Sequence, residues 1–158
     1  MFDFQDGRGL VPASKHPNGG GWIANSASAD SAAFIGPNAR VFGNAIVFGS
    51  AEVSGYAEVY GNAEVYGYAW VYGYAHVTDN AWVSGNARVS GHAHVYGNAR
   101  VSVNARVSGD ARVSGNAWVS GNAWVSGDTT KRPLVLNGFP HLVTITDRHV
   151  RVGCELHL

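Results

Sequence analysis

The chain has 158 residues, and its eleven basic and eleven acidic side chains leave no formal net charge, so no global field draws it to nucleic acid or to a membrane surface. The single cysteine, Cys154, excludes an intrachain disulfide and suits a reducing, cytoplasmic setting. No stretch approaches the ~18 consecutive apolar residues of a membrane span. Glycine stands at 21 residues, about twice its ~7% average usage. That excess is periodic, which points to a repeat fold rather than to disorder.

In chain order, residues 1–22 are Gly-rich and irregular, and are expected to form an N-terminal cap or arm. The opening Met-Phe-Asp-Phe-Gln-Asp-Gly lacks the basic start and apolar core of a secretory signal. Residues 23–127 hold the repeat. Every sixth residue from Ala33 to Ala123 is Ala, and two residues after each stands Ile35, then Val41, Val47 and so on to Val125. Ile23 and Ala29 carry the Val phase backward. Residues two apart in a strand face the same way, so Ala and Val point inward together and the residue between them points out. The Gly-Asn that follows suits a corner, because both residues tolerate positive φ. A short strand and a corner every six residues make one side of a prism, and three sides close a coil of eighteen.

The pairs Val41 and Ala45, Val47 and Ala51, and Val53 and Ala57 place a small residue four positions after an aliphatic one. In this, residues 31–127 resemble the hexapeptide-repeat family. The resemblance implies an all-β fold, a left-handed parallel β-helix forming a triangular β-solenoid, and a homotrimer. Asp6-Gly7-Arg8-Gly9, the run from His16 to Trp22 and the tail from Val143 to His157 look similar to hexapeptide-repeat proteins carried by bacteriophages and prophages. That implies a phage-encoded host-interaction or anti-defence factor acting in the cytoplasm of the host cell through rigid solenoid faces.

Residues 128–158 leave the repeat. Leu134–Leu136, Leu142–Ile145 and Val150–Val152 read as short strands, with turns at Asn137-Gly138 and Asp147-Arg148-His149. They form a small C-terminal β cap or a separate partner-binding module.

Sorting outward residues by eighteen gives three ladders. They are Arg40, Glu58, His76, His94, Arg112; Ile46, Glu64, Trp82, Arg100, Trp118; and Glu52, Trp70, Arg88, Arg106, Trp124. Arg beside Trp one coil away suits cation–π stacking, which also keeps like charges apart. Trp70, Trp82, Arg88, Arg100, Arg106, Trp118 and Trp124 either stabilise the solenoid or form a recognition face, since both residue types are enriched at interface hot spots. Asn44, Asn62, Asn80, Asn98 and Asn116 form a corner ladder that can hydrogen-bond along its length. The acidic Glu52, Glu58 and Glu64 come early in the ladders, and basic residues concentrate later, at Arg88, Arg100, Arg106 and Arg112. Tyr56, Tyr60, Tyr66, Tyr68, Tyr72 and Tyr74 crowd one to two coils and are expected at a protomer interface, with an external partner as the alternative.

Candidate chemistry is sparse. His76, His92 and His94 could approach one another as metal ligands, and His149, Cys154 and His157 form a second set in the tail, but zinc needs three or four converging ligands. Many hexapeptide-repeat proteins are acyltransferases, so His76 or His94 could serve as an intersubunit base. Those enzymes usually interrupt the coils with a catalytic loop, and no interruption occurs here. No phosphate-cradling G-x-G-x-x-G falls inside the repeats. Thr78 is the only threonine in them, which disfavours ice binding. No cofactor is expected. The expected function is non-enzymatic binding or scaffolding, with another protein as partner and neither membrane nor a strong nucleic-acid signal. Acyl transfer and a virion or filament component are the alternatives.

Overall fold

The computed structural model describes residues 1–127, together with the backbone of the strands Val135–Asn137, Val143–Thr146 and His149–Val152. All regular elements among the described residues are β-strands. Most are only two residues long, such as Trp82–Val83, because a positive-φ corner follows every Ala-x-Val triplet from Ala39 to Val119. The chain winds as a parallel β-solenoid. Two of its three long sheets have six strands each, so it makes six turns.

Each strand pairs with those eighteen residues before and after it. Val83 lies beside Val65 and Val101, and Trp82 beside Glu64 and Arg100. The first sheet runs through Trp22–Ala24, Arg40–Val41, Glu58–Val59, His76–Val77, His94–Val95 and Arg112–Ser114. The second runs from Ser28–Ala29 through Ile46–Gly49, Glu64–Gly67, Trp82–Val83 and Arg100–Val101 to Trp118–Val119. The third runs from Phe34–Ile35 through Glu52–Val53, Trp70–Val71, Arg88–Val89 and Arg106–Gly109 to Trp124–Gly127. The three expected ladders are therefore the outward rows of these sheets.

The core is a column of Ala and Val with Ile23 and Ile35 at its base. Every repeat Ala and Val from Ala33 to Val113 is fully buried. The corners rely on glycine for two reasons. At Gly43 φ is 68°, and a Cβ there would stand 2.9 Å from the nitrogen of Gly61 in the next coil. Two corners carry another residue at that position, Asp79 with φ 59° and Val103 with φ 64°.

The N-terminal segment closes much of the lower end. Ala13–Lys15 pairs antiparallel with Trp22–Ala24 and so covers the first sheet. The turn after it reaches the third, where Asn18 Nδ2 donates to Ala33 O at 3.0 Å. A Cβ on Gly19 or Gly21 would collide with the backbone of Ile35 and Gly36. Phe2 and Phe4 pack beside the first sheet, on Trp22 and Phe42. In the tail, Val135–Asn137 adds a parallel strand to Arg112–Ser114, and Val143–Thr146 pairs antiparallel with His149–Val152.

Candidate interaction faces

The first sheet presents a charged row. The Arg40 guanidinium lies 3.3 Å from the Glu58 carboxylate, which in turn lies 3.4 Å from His76 Nδ1. That nitrogen is buried and makes no hydrogen bond, so the 3.4 Å approach is electrostatic contact without alignment. His76 and His94 stack at 4.8 Å with their planes 10° apart. Burial, followed by the charges of His76, Arg112 and His92, lowers the His94 pKa below its usual 6.5, against a smaller opposing pull from Asp110.

These histidines do not converge as metal ligands. Parallel stacked rings direct their nitrogens side by side rather than toward a common point. His92 stacks instead on Tyr74 at the neighbouring corner, at 5.0 Å. Among the described residues no three His, Cys, Asp or Glu side chains are grouped to hold a metal ion. The second set, His149, Cys154 and His157, lies outside the residues whose side chains are described.

The second and third sheets present the tryptophans and arginines. Arg88 lies over Trp70 at 4.9 Å, and Arg100 over Trp82 at 4.6 Å. Trp118 and Trp124 are held differently: each indole N–H donates to a serine hydroxyl sixteen residues earlier, Ser102 and Ser108, at 3.2 Å. Of the four tryptophans on these sheets they are the most open, 58% and 57% exposed, while Trp82 is 36% exposed. Arg88 and Arg106 are direct neighbours on the third sheet, so stacking on Trp does not keep all the like charges apart.

The six tyrosines do not form one patch. Tyr66 lies at the end of the strand Glu64–Gly67, the other five lie in corner segments, and all three corner columns hold some of those five. Tyr56 stacks on Tyr74 at 5.2 Å, in the column that His92 continues. Tyr60 stacks on Phe42 and Tyr66 on Phe48, each at 4.8 Å, and both are half-buried. Tyr68 and Tyr72 are exposed, each following the strand of a different sheet.

The expected Asn ladder forms, with side-chain bonds of 3.3, 3.1, 3.2 and 3.2 Å from Asn44 through Asn116. A second one, Asn86–Asn104–Asn122, runs along another corner with bonds of 3.3 Å. Sorting by eighteen would also have found it. The Phe4–Phe42–Tyr60 stack was not legible in that way, because Phe4 lies outside the repeat.

Comparison with known families agrees with this geometry. Residues 33–55, 81–97, 93–109, 105–121 and 111–127 match the family model described as the YdcK beta solenoid repeat. The chain is a β-solenoid repeat protein. The matched stretches span less than half of it and skip residues 56–80, where tyrosines replace many of the usual corner residues. No curated protein matches the chain, and no solved structure does.

Proposed function

We propose that this solenoid is a non-enzymatic binding protein that recognises another protein through the Trp and Arg rows of its second and third sheets. The observation that carries this reading is the way those side chains are both exposed and fixed. Arg100 is stacked on Trp82 and Arg88 on Trp70, and the Trp118 and Trp124 indoles are each hydrogen-bonded to serine. Side chains ordered before binding lose little rotamer freedom on contact. Arg88, Arg100 and Arg106 beside four indoles suit a partner surface that combines carboxylates with apolar groups. A left-handed winding, a triangular cross-section, a homotrimer, and a phage-encoded factor acting in the host cytoplasm belong to this reading through the resemblances given above. In such a trimer the Tyr56–Tyr74–His92 column is the part of the tyrosine set that one interface can reach together.

The test is capture from lysate by wild-type protein and by a Trp118→Ala, Arg100→Ala double variant. An Arg112→Ala variant on the first sheet serves as control. Loss of a specific partner in the double variant alone is expected, and identical partner sets in all three would reject the recognition face. A second reading, intersubunit acyl transfer with His76 or His94 as base, is favoured by the placing of Glu58 against His76. Stabilisation by acetyl-CoA in a thermal-shift assay would support it over binding alone. Concentration-dependent rods in light scattering would favour a filament component.

A further inference from the structure

The three sides of the lowest coil do not end alike. At each side one residue turns its backbone N–H and C=O downward, away from the solenoid. These are Ile23, Ala29 and Ile35, six residues apart. Ile35 is satisfied: its N–H donates to Asn18 O at 3.0 Å, and its carbonyl accepts from Gly21 N–H at 2.9 Å. Ile23 lies opposite Ser14 in the antiparallel pair. Ala29 has no such cover. Ser28 and Asp30 donate upward, to Ala45 O at 2.9 Å and Val47 O at 2.8 Å. The intervening Ala29 therefore directs its own groups the other way. Ser28–Ala29 is the outermost strand of its sheet, and among the described residues nothing bonds to the downward groups of Ala29.

The side chains tell the same story. Ala27 and Ala29 are half-buried, whereas the inward residues of the same sheet one coil up, Ala45 and Val47, are fully buried. Beneath them lies a depression of about 330 Å³, lined by the apolar Ile23, Ala24, Ala27 and Ala29 together with polar residues that include Ser14, Lys15, His16 and Asn25. The free backbone groups of Ala29 and this partly apolar lining both border the place that one further strand would take.

We propose that this edge binds an extended segment of a partner polypeptide, added as one more strand below Ser28–Ala29. The segment places a small aliphatic side chain, Ala or Val, in the depression. The occupant is a polypeptide because the chain already shows what covers such an edge. The two neighbouring sides are closed by backbone from residues 13–21, once as a strand and once as a turn. A free donor and acceptor on one edge residue call for the same complement, and side-chain pockets at alternate positions supply the selectivity. This site lies at the end of the solenoid, apart from the Trp and Arg rows, and does not depend on their role.

The test uses the full chain and a synthetic peptide, Gly-Asn-Ala-Glu-Val-Ser with blocked ends, which carries the solenoid's own inward pattern. A control peptide has Lys at both inward positions. Amide exchange and chemical shifts are followed by NMR. The first peptide is expected to shift the Ala29 amide saturably and to slow its exchange by about tenfold or more. The Lys peptide should do neither. Ala29→Glu should abolish the effect, and amide protection retained at Val65 and Val83 would show that the coils above remain folded. An Ala29 amide already protected in the free protein would overturn the proposal. So would exchange unaffected by millimolar peptide, or sedimentation showing that Ala29 protection tracks self-association, which would make a second copy the occupant.

Discussion

Val103 is a β-branched residue in a conformation that β-branched residues avoid. Its φ is 64°, and the corners directly below and above it, Gly85 and Gly121, both have φ 68°. The side chain is 51% exposed, so it contributes little packing in return. Holding a non-glycine residue in the left-handed region costs about 1–3 kcal/mol. Replacing it with glycine restores about 0.5–1 kcal/mol of unfolded-chain entropy that works against folding. The balance predicts that Val103→Gly stabilises the protein by about 0.5–2 kcal/mol. At about 2–4 °C per kcal/mol for a chain of this size, the melting temperature should rise by about 1–8 °C. Thermal unfolding followed by circular dichroism measures this directly, with urea unfolding as a second probe. Gly85→Val should move the other way, since its Cβ would also stand 3.0 Å from the nitrogen and oxygen of Val103. An unchanged or lower melting temperature for Val103→Gly would refute the claim that left-handed sterics govern these corners.

The other corner exception should behave differently, because the Asp79 carboxylate accepts Gly97 N–H at 2.9 Å. Asp79→Ala should cost about 1–2 kcal/mol in urea unfolding. In the core, Val83→Ala removes a fully buried side chain between Val65 and Val101 and should cost about 2–3 kcal/mol, read from the same urea curves. Asn80→Ala breaks side-chain bonds to both Asn62 and Asn98 and should cost about 1 kcal/mol, since the ladder is exposed. The lowered His94 pKa sets a pH dependence. The folded state binds a proton at His94 less readily than the unfolded chain, so the neutral ring contributes its full stability above pH 6.5. That stability falls as the pH drops below 6.5 toward the lowered folded value. Melting temperatures taken across this range should decline less in His94→Gln than in wild type.

The sequence made the solenoid legible because a single physical rule repeats along it. Ala-x-Val must face inward together, so the period alone places Trp82 beside Arg100 and Asn80 beside Asn98. The rule fails where the residues do not repeat. Phe4 joins the Phe42–Tyr60 stack from an irregular arm, and nothing in its neighbours' spacing announces that. The tyrosines look like one cluster along the chain, but six residues of sequence carry the chain to another side of the coil, so crowding in sequence becomes dispersal in space. The Trp118 bond to Ser102 spans sixteen residues rather than eighteen, because an indole reaches past its own column. The bare underside of Ala29 was also hidden, since it depends on which sides residues 13–21 happen to cover.

The central claim is that side chains eighteen apart are neighbours on one sheet. Disulfide formation in a Cys154→Ser background tests it most directly, comparing His76→Cys, His94→Cys with His76→Cys, Arg88→Cys. Adjacent strands lie about 4.8 Å apart, within the Cα range of about 4.4–6.8 Å that a disulfide spans. The folded eighteen-residue pair should cross-link readily under mild oxidant, while the twelve-residue pair, on two different sheets, should stay reduced within the monomer. Cross-linking of the twelve-residue pair, with none in the eighteen-residue pair, would contradict the coil.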